Sequence, residues 1–439
     1  MTGMTREKAE AIYTELSSVI ARRSSRGIYT ALGYTSNLDI LLDFRTEKFN
    51  ELLEQYAPDG ILEEMKPVTR IRTGRELVET IVYYCRTGTG GEADIEDPDL
   101  LRRNFPHKNG IGGTAVQAAL ALAQFGAGSV VHLSDDSQDV RALLDSPCIR
   151  VPLSNGTLGG SQDEQGENEP EIHVILQFQK GTVIRLGIQE VEIPWSNRVI
   201  LTKCTVNDKL PLDESYLKWV ENHAGQVSSN VLSSFNCPLD RELLLSRLSR
   251  VKRHVETYRK NNPDGIVYFE DGHYHERAIR QLCMETLCPH VDILSINEEE
   301  LALSLEIFGI LVDLPDILSC IDGVEQLRKL FSIKKGIVVH TKDYAMYVGD
   351  RTGLNIENGL VCGVLLATAK AAFGNYGSDP EVRWVLEQPF NPQGLENQEI
   401  IRKAGLEDRV LLVPAYWLDR PKYTIGLGDS FTGGMQLCF

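Results

Sequence analysis

Basic residues are in the minority in this sequence: 45 Lys and Arg stand against 62 Asp and Glu, a formal charge of −17. Binding to a phosphate backbone needs a basic face, so the balance argues against a nucleic-acid partner. An anionic ligand must instead be met by a local basic cluster. No run approaches eighteen continuous apolar residues, and the first residues, MTGMTREKAEAIYTEL, are charged where a leader would be apolar. Neither a membrane-spanning helix nor a secretory leader is expected. The nine cysteines form no CxxC pair and keep no even spacing, which suits reduced thiols in a cytosol. No internal repeat is visible. At 439 residues, 42 % apolar and 24 % charged, the chain has ample material for a large core. That length fits two or three domains, or one large α/β domain with insertions.

The second half alternates. After an amphipathic opening helix (Thr5 to Arg22), a β-rich run covers Gly27 to Thr35. From Asp240 onward, helical patterns separate the short apolar runs Gly265–Glu270, Val291–Ile296, Gly336–His340 and Val410–Val413. Such runs read as βαβ units with a mostly parallel sheet covered on both faces. In the first half Ile172–Phe178 and Val183–Arg185 are strand-like with little helix between them, after a solvated Gly- and Ser-rich loop (154–171). The expected architecture is an α/β, Rossmann-like sheet covered by helices. A smaller, discontinuous, β-rich lid is expected from about 44–108 and 155–205.

Several strand ends carry residues suited to chemistry. In Thr424–Gly434, TIGLGDSFTGG, Gly426 and Gly428 allow a tight turn in which several N–H groups converge on one point. The apolar segment that follows reads as a helix start, which adds positive potential. An anion hole beside one carboxylate, Asp429, is what phosphoryl transfer to an alcohol requires. The structural alternative makes Asp429 a helix N-cap. The segment Ser295–Leu301, SINEEEL, puts Asn297 and Glu300 one turn apart after a strand, where oxygen ligands suit Mg2+ held largely through its waters. Its alternative is an acidic first turn capped by Asn297. Glu270 ends an apolar strand and joins Glu300 if it emerges at the sheet edge.

In the first half, Asn37 and Asp39 follow a strand, and Gly110–Thr114 opens a long Ala/Leu helix. Asp39 with Glu92, from TGTGGE, supplies paired acceptors for adjacent sugar hydroxyls. A phosphorylated acceptor calls for cations, and Lys180, Arg185 and Arg198 are the candidates. The group His273, His275 and Glu276 is set aside as a zinc site, since no matching Cys or His pair stands elsewhere.

Together these motifs resemble the ADP-dependent sugar kinases, the glucokinase and phosphofructokinase family of the ribokinase superfamily, over most of the chain and in motif order. The resemblance implies a ribokinase-like fold, cytoplasmic location, Mg2+ dependence and ADP as phosphoryl donor, with AMP as product. It makes Asn37, Asp39 and Glu92 sugar contacts, Gly112 and Gly113 substrate-loop glycines, and Arg198 an arginine near the substrate. Glu270, Glu300 and Asp429 fall on its metal-associated positions, and Asp429 on its base. Asn297, His340, Thr341, Val413 and Leu427 fall on the nucleotide side, where 339–344, 413–414 and 421–429 look like the ADP branch. Two departures stand out: GLGDS replaces the family's GLGDT, and only ten residues remain from Ser430, where the family helix would run on. The alternatives are an ATP-using sugar or nucleoside kinase of the same superfamily, and a catalytically silent sugar or nucleotide sensor. Fructose 6-phosphate and glucose both remain open as acceptors, with a slight lean to the former, and oligomeric state is not readable.

Overall fold

The computed structural model describes residues 3–439 except 167, 275, 351, 352 and 420. These residues form a ten-stranded sheet and a six-stranded sheet, with a separate hairpin, Val183–Leu186 and Gln189–Glu192. The core of the large sheet is parallel. From one edge inward its strands are Gly336–His340, Ile293–Asn297, Ile266–Glu270, Val227–Leu232, Tyr29–Gly33, Ser129–Val131 and Ile149–Pro152. Tyr344–Gly349 and Val410–Pro414 extend one side antiparallel in turn, and Leu158–Gly159 closes the other. Ile266–Glu270 is buried at every position, as a strand covered on both faces requires.

The carboxyl ends of the parallel strands share one edge, where sites in such sheets gather. Behind that edge pack three helices: Thr114–Gln124, Ile356–Phe373 and Leu427–Gln436. Their contacts need glycine. A Cβ on Gly433 would stand 2.7 Å from the Ala121 Cβ, and one on Gly434 would stand 2.6 Å from the Cys362 backbone. Ile356–Phe373 is long and apolar enough to span a membrane, but 72 % of that stretch is buried inside the protein. It is a core helix, apolar all round because helices and sheet enclose it.

The six-stranded sheet runs Arg70–Ile71, Gly91–Ile95, Asn197–Lys203, Ile172–Phe178, Asn37–Leu42, His107–Gly112. It departs from the expected segments in two ways. Asn37–Leu42 lies before residue 44 and begins a strand there instead of ending one. Leu158–Gly159, inside 155–205, pairs with the large sheet. One face of this sheet is apolar and buried (Leu38, Ile40, Val174, Leu176, Ala93, Val199) under the helices Thr46–Tyr56 and Gly74–Thr87. Register puts Asp39 opposite His173, Leu41 opposite Ile175, Ile175 opposite Ile200 and Ile200 opposite Glu92. These residues, with Arg198, therefore share the other face. Arg198 on that face donates from Nη1 to Thr424 Oγ1 over 3.3 Å, so the face is turned toward the GLGD segment.

Candidate active site

The helix that carries Asp429 starts earlier than the segment suggested. It runs Leu427–Gln436 with Gly426 as N-cap, in the left-handed region at φ 70°, and among the described residues no side chain caps it. Asp429 is thus the third residue of the helix, which removes the reading of Asp429 as an N-cap. Only glycine fits at 426 on two counts: its φ, and a Cβ that would stand 2.1 Å from Gln117 Oε1. A second glycine-headed helix arrives beside it. Gly113, at φ 101°, caps Thr114–Gln124, again without a side-chain acceptor. Two open helix N-termini thus face one place, and the amides of each first turn lack intrahelical partners.

Asp429 is half-buried there. Loss of solvation pushes its carboxyl up to about 6, with Glu270 and Asp39 adding to the rise and Thr114 and Lys370 opposing it. The two sheets meet at this carboxyl, since Asp39 stands on the small sheet and Glu270 on the large one. Asn37 Nδ2 donates to Asp39 Oδ1 over 2.6 Å and to His173 Nδ1 over 3.1 Å. Burial raises the Asp39 carboxyl as well, opposed by His173, Asn37 and Lys370. Gly112 pairs with Asn37, and a Cβ on it would meet Asn37 Nδ2 at 2.3 Å and Asp39 Oδ1 at 2.5 Å. Gly110 to Gly112 therefore act as a strand that admits these side chains, not as the opening of the helix.

At the large-sheet edge, His340 Nε2 lies 3.0 Å from Glu270 Oε1. The His340 ring stacks on Phe431 at 4.8 Å between centroids, and its Cε1 would be 3.4 Å from a Cβ on Gly428. Burial disfavours the His340 cation, but Glu270 outweighs it and the imidazole pKa is raised. Asn297 caps the helix Glu298–Ile307 in a reciprocal box: Glu300 N donates to Asn297 Oδ1, and Asn297 N donates to Glu300 Oε2, each over 2.9 Å. Burial, then Asp271, push the Glu300 carboxyl up to about 8. The buried oxygens Glu270 Oε2 and Asp271 Oδ1 have no hydrogen-bond partner among the described residues. Among the described residues no group of three or more His, Cys, Asp or Glu is placed to grip a metal directly. Crowded carboxylates with unpartnered oxygens fit a hydrated cation held through its waters.

Beside this edge opens a cavity of about 610 Å3, whose lining includes Asn297, His340, Thr341, Leu427 and Gly428. Val413 is buried in its strand, opposite Ala345, and does not line the cavity; Ala415, two residues on, does. The candidate cations scatter. Lys180 lies in a turn with its Nζ 4.5 Å from the centroid of Trp195. It is seven residues past His173 along the same chain segment, roughly 20 Å from Asp39 at strand rise. Arg185 sits on the hairpin paired with Glu190 at 2.7 Å. Of the three, Arg198 reaches the cleft. Glu92 shares the Asp39 face three strands away, roughly 14 Å across. His275 lies outside the described residues, and Glu276 serves as the cap of Arg277–Leu287.

Sequence reasoning missed His173, Gln117, Lys370 and the cavity residues Asn391 and Trp417. The cross-strand partner of Asp39 was in principle open to register analysis; the others carry no spacing signal.

The conserved region described as ADP-specific phosphofructokinase/glucokinase matches residues 29–437. An ADP-specific phosphofructokinase of Pyrococcus furiosus is 25 % identical, aligned over 94 % of this chain and 96 % of its own. An ADP-dependent glucose/glucosamine kinase of the same organism is 24 % identical over 91 % of this chain and 92 % of its own. The crystal structure of a phosphofructokinase from Pyrococcus horikoshii with AMP superposes with a TM-score of 0.78, at 21 % identity, covering 93 % of this chain and 97 % of that one. Because the family's conserved region runs through nearly the whole chain, from the first strand of the large sheet to the end of the Asp429 helix, the protein belongs to the ADP-specific phosphofructokinase/glucokinase family.

Proposed function

We propose that the protein is a sugar kinase that moves the β-phosphoryl group of ADP to a hexose hydroxyl, releasing AMP, with Asp429 as general base. The observation that carries this reading is the open start of Leu427–Gln436, with a half-buried carboxylate in its first turn, beside a cavity of about 610 Å3 that has room for a nucleoside. The cavity takes the nucleoside, walled by His340, Thr341 and Leu427. First-turn amides after Gly426 hold the charge that develops on the transferring group. Asp429, with its carboxyl at about 6, is mostly ionised at neutral pH and accepts the proton of the attacking hydroxyl. Asp39, held by Asn37, accepts hydrogen bonds from the sugar and orients it.

Glu270 and Glu300 would hold Mg2+ through its waters, with Asp429 nearby, and the ion would neutralise donor phosphate charge. The six-stranded sheet with its helices acts as a lid, and its closure excludes water that would otherwise hydrolyse ADP. Free cysteines support a reducing, cytoplasmic setting.

On the acceptor side the face bearing Asp39 also bears Glu92, and a carboxylate there repels a phosphate. This favours a neutral hexose such as glucose. Arg198 keeps a phosphorylated hexose as the second reading, since it is a cation on the same face. Following formation of the phosphorylated sugar with ADP or ATP as donor, over glucose and fructose 6-phosphate, tests all of this. ADP-specific turnover with glucose is the expected result. Exclusive use of ATP, or binding without turnover, would overturn the donor or the kinase assignment.

A further inference from the structure

The core helix Ile356–Phe373 carries one lysine, Lys370, in its last turn. Its position follows from how that helix packs. A Cβ on Gly359 would stand 2.7 Å from Met435 Sδ, and one on Gly363 would stand 2.6 Å from the Phe431 ring. Moving forward along Ile356–Phe373 therefore means moving backward along Leu427–Gln436: the helices are antiparallel. Continued at the same register, residue 370 passes Leu427 and comes level with Thr424 to Gly426. The backbone agrees, because the N–H groups of Lys422 and Tyr423 both donate to Ala371 O, over 2.9 and 3.1 Å. Lys370 thus stands at the uncapped N-terminus that the Asp429 helix presents.

Its side chain is held there. Nζ lies 3.9 Å from the centroid of the Tyr376 ring, a cation–π contact that fixes the ammonium. The two charges acting on it are Asp429 from the large sheet's side and Asp39 from the small sheet. A half-buried lysine at the end of a largely apolar helix calls for a counter-charge or a ligand for its ammonium. A phosphate arriving at Gly426 meets two carboxylates, and the partial charges of the two helix starts together offset only about one of them. A full positive charge between them removes that conflict.

We propose that Lys370 contacts the phosphoryl group in transfer, as the fixed cation that lets an anion enter between Asp39 and Asp429. The proposal rests on the kinase reading above for its chemistry, but not for its binding test. The full-length protein is prepared as wild type, Lys370→Met and Lys370→Arg, and ADP and AMP binding are measured by calorimetry at fixed Mg2+. AMP lacks the β-phosphate, so Lys370→Met should weaken ADP about tenfold or more while AMP changes by less than about twofold. Lys370→Arg should recover most of the ADP affinity. In turnover, Lys370→Met should cost about a hundredfold in kcat, as loss of one oxyanion donor does. Equal effects on ADP and AMP, or none on either, would overturn the assignment. If Lys370→Met does not fold, Lys370→Gln is put through the same comparison. A wild type that shows the ADP-over-AMP dependence on Lys370 but transfers no phosphate to any hexose sinks the kinase reading alone.

Discussion

Two helices begin at the carboxyl edge of the large sheet, and their first turns are treated in opposite ways. Glu298–Ile307 is closed by its own side chains: Asn297 accepts from Glu300 N, and Glu300 accepts from Asn297 N. Its acidic first turn, Glu298 to Glu300, complements the helix dipole from within. Leu427–Gln436 starts on a glycine without a side-chain acceptor, as does Thr114–Gln124 beside it. An open helix start near a cavity is available to a ligand anion, whereas a boxed one has already given N–H donors to its own side chains. The closed helix still serves the site, because its box leaves Glu300 in a crowd of acids with Glu270 and Asp271. One helix start is therefore built for an anion, the other for a cation.

The sharpest way to break this contrast is at Asp429. Asp429→Asn keeps size and polarity at the third helical position, and no cap is lost because Gly426 is the cap. Near-native melting is expected, with sugar and nucleotide binding retained and kcat lower by about 10²–10⁴-fold. In the wild type, kcat/KM should fall about tenfold per pH unit below about 6, since the base is lost on protonation. A mutant with most of its kcat would leave the open helix start as a binding feature and remove Asp429 as the base.

Asp39→Ala comes next in size. It removes a buried acceptor on the sheet opposite Asp429. Hydrogen bonds to a charged group contribute about 1.5–3 kcal/mol, so KM for the sugar should rise about 10- to 100-fold. KM for ADP should stay within about threefold. Steady-state kinetics with each substrate varied in turn checks this, and equal effects would place Asp39 outside the acceptor side.

Much of this arrangement could be read from the sequence. Runs such as Ile266–Glu270 and Gly336–His340 are short, apolar and β-branched, and they bracket helices, so the parallel sheet and its polar ends were legible. The small sheet was harder. In Asn37–Leu42 the pattern is broken by burial of Asn37 and Asp39 against Gly112, so a polar stretch reads as a strand's end when it is a strand's beginning. Ile356–Phe373 gave no helical stripe because it is apolar on every side. The roles of Lys370, Gln117 and His173 arise from juxtapositions of segments more than fifty residues apart, which no local spacing encodes. Lys180 shows the converse error: a basic residue at a strand-like end looks like a ligand until register puts it at the far end of the sheet.

The glycine cap itself can be tested by strain. At φ 70°, alanine at 426 costs about 1–2 kcal/mol, and its Cβ also meets Gln117 Oε1. Gly428→Ala is the control, since its φ is ordinary and the nearest contact is His340 Cε1 at 3.4 Å. Gly426→Ala should lower stability by about 1–2 kcal/mol with a matching loss of ADP affinity, and Gly428→Ala by less. Adding Gln117→Ala to Gly426→Ala should recover the part due to contact and leave the part due to φ. Equal melting of the two alanine variants would mean that the left-handed cap is not needed.

The smallest expected effect is at the closed helix. Glu300→Gln replaces one carboxylate oxygen by an amide nitrogen but leaves Oε1 free to accept from Asn297 N, so the box and the helix survive. What is lost is a carboxyl that burial and Asp271 push up to about 8, one that can ionise beside a bound cation. If Glu300 only complements the helix dipole, the loss is worth about 0.3–1 kcal/mol of stability and nothing in magnesium response. If it helps hold Mg2+ through water, stability without the ion changes little, because a carboxyl pushed up to about 8 is already mostly neutral at pH 7. In that case the half-saturating Mg2+ concentration should rise several-fold, by the energy of one charge acting across a water layer at an effective dielectric near that of a protein surface. Paired thermal melts and a magnesium titration of turnover separate the two cases. An unchanged titration with a lowered melting point would make the acidic turn a helix cap alone, and the cation side of the contrast would fall.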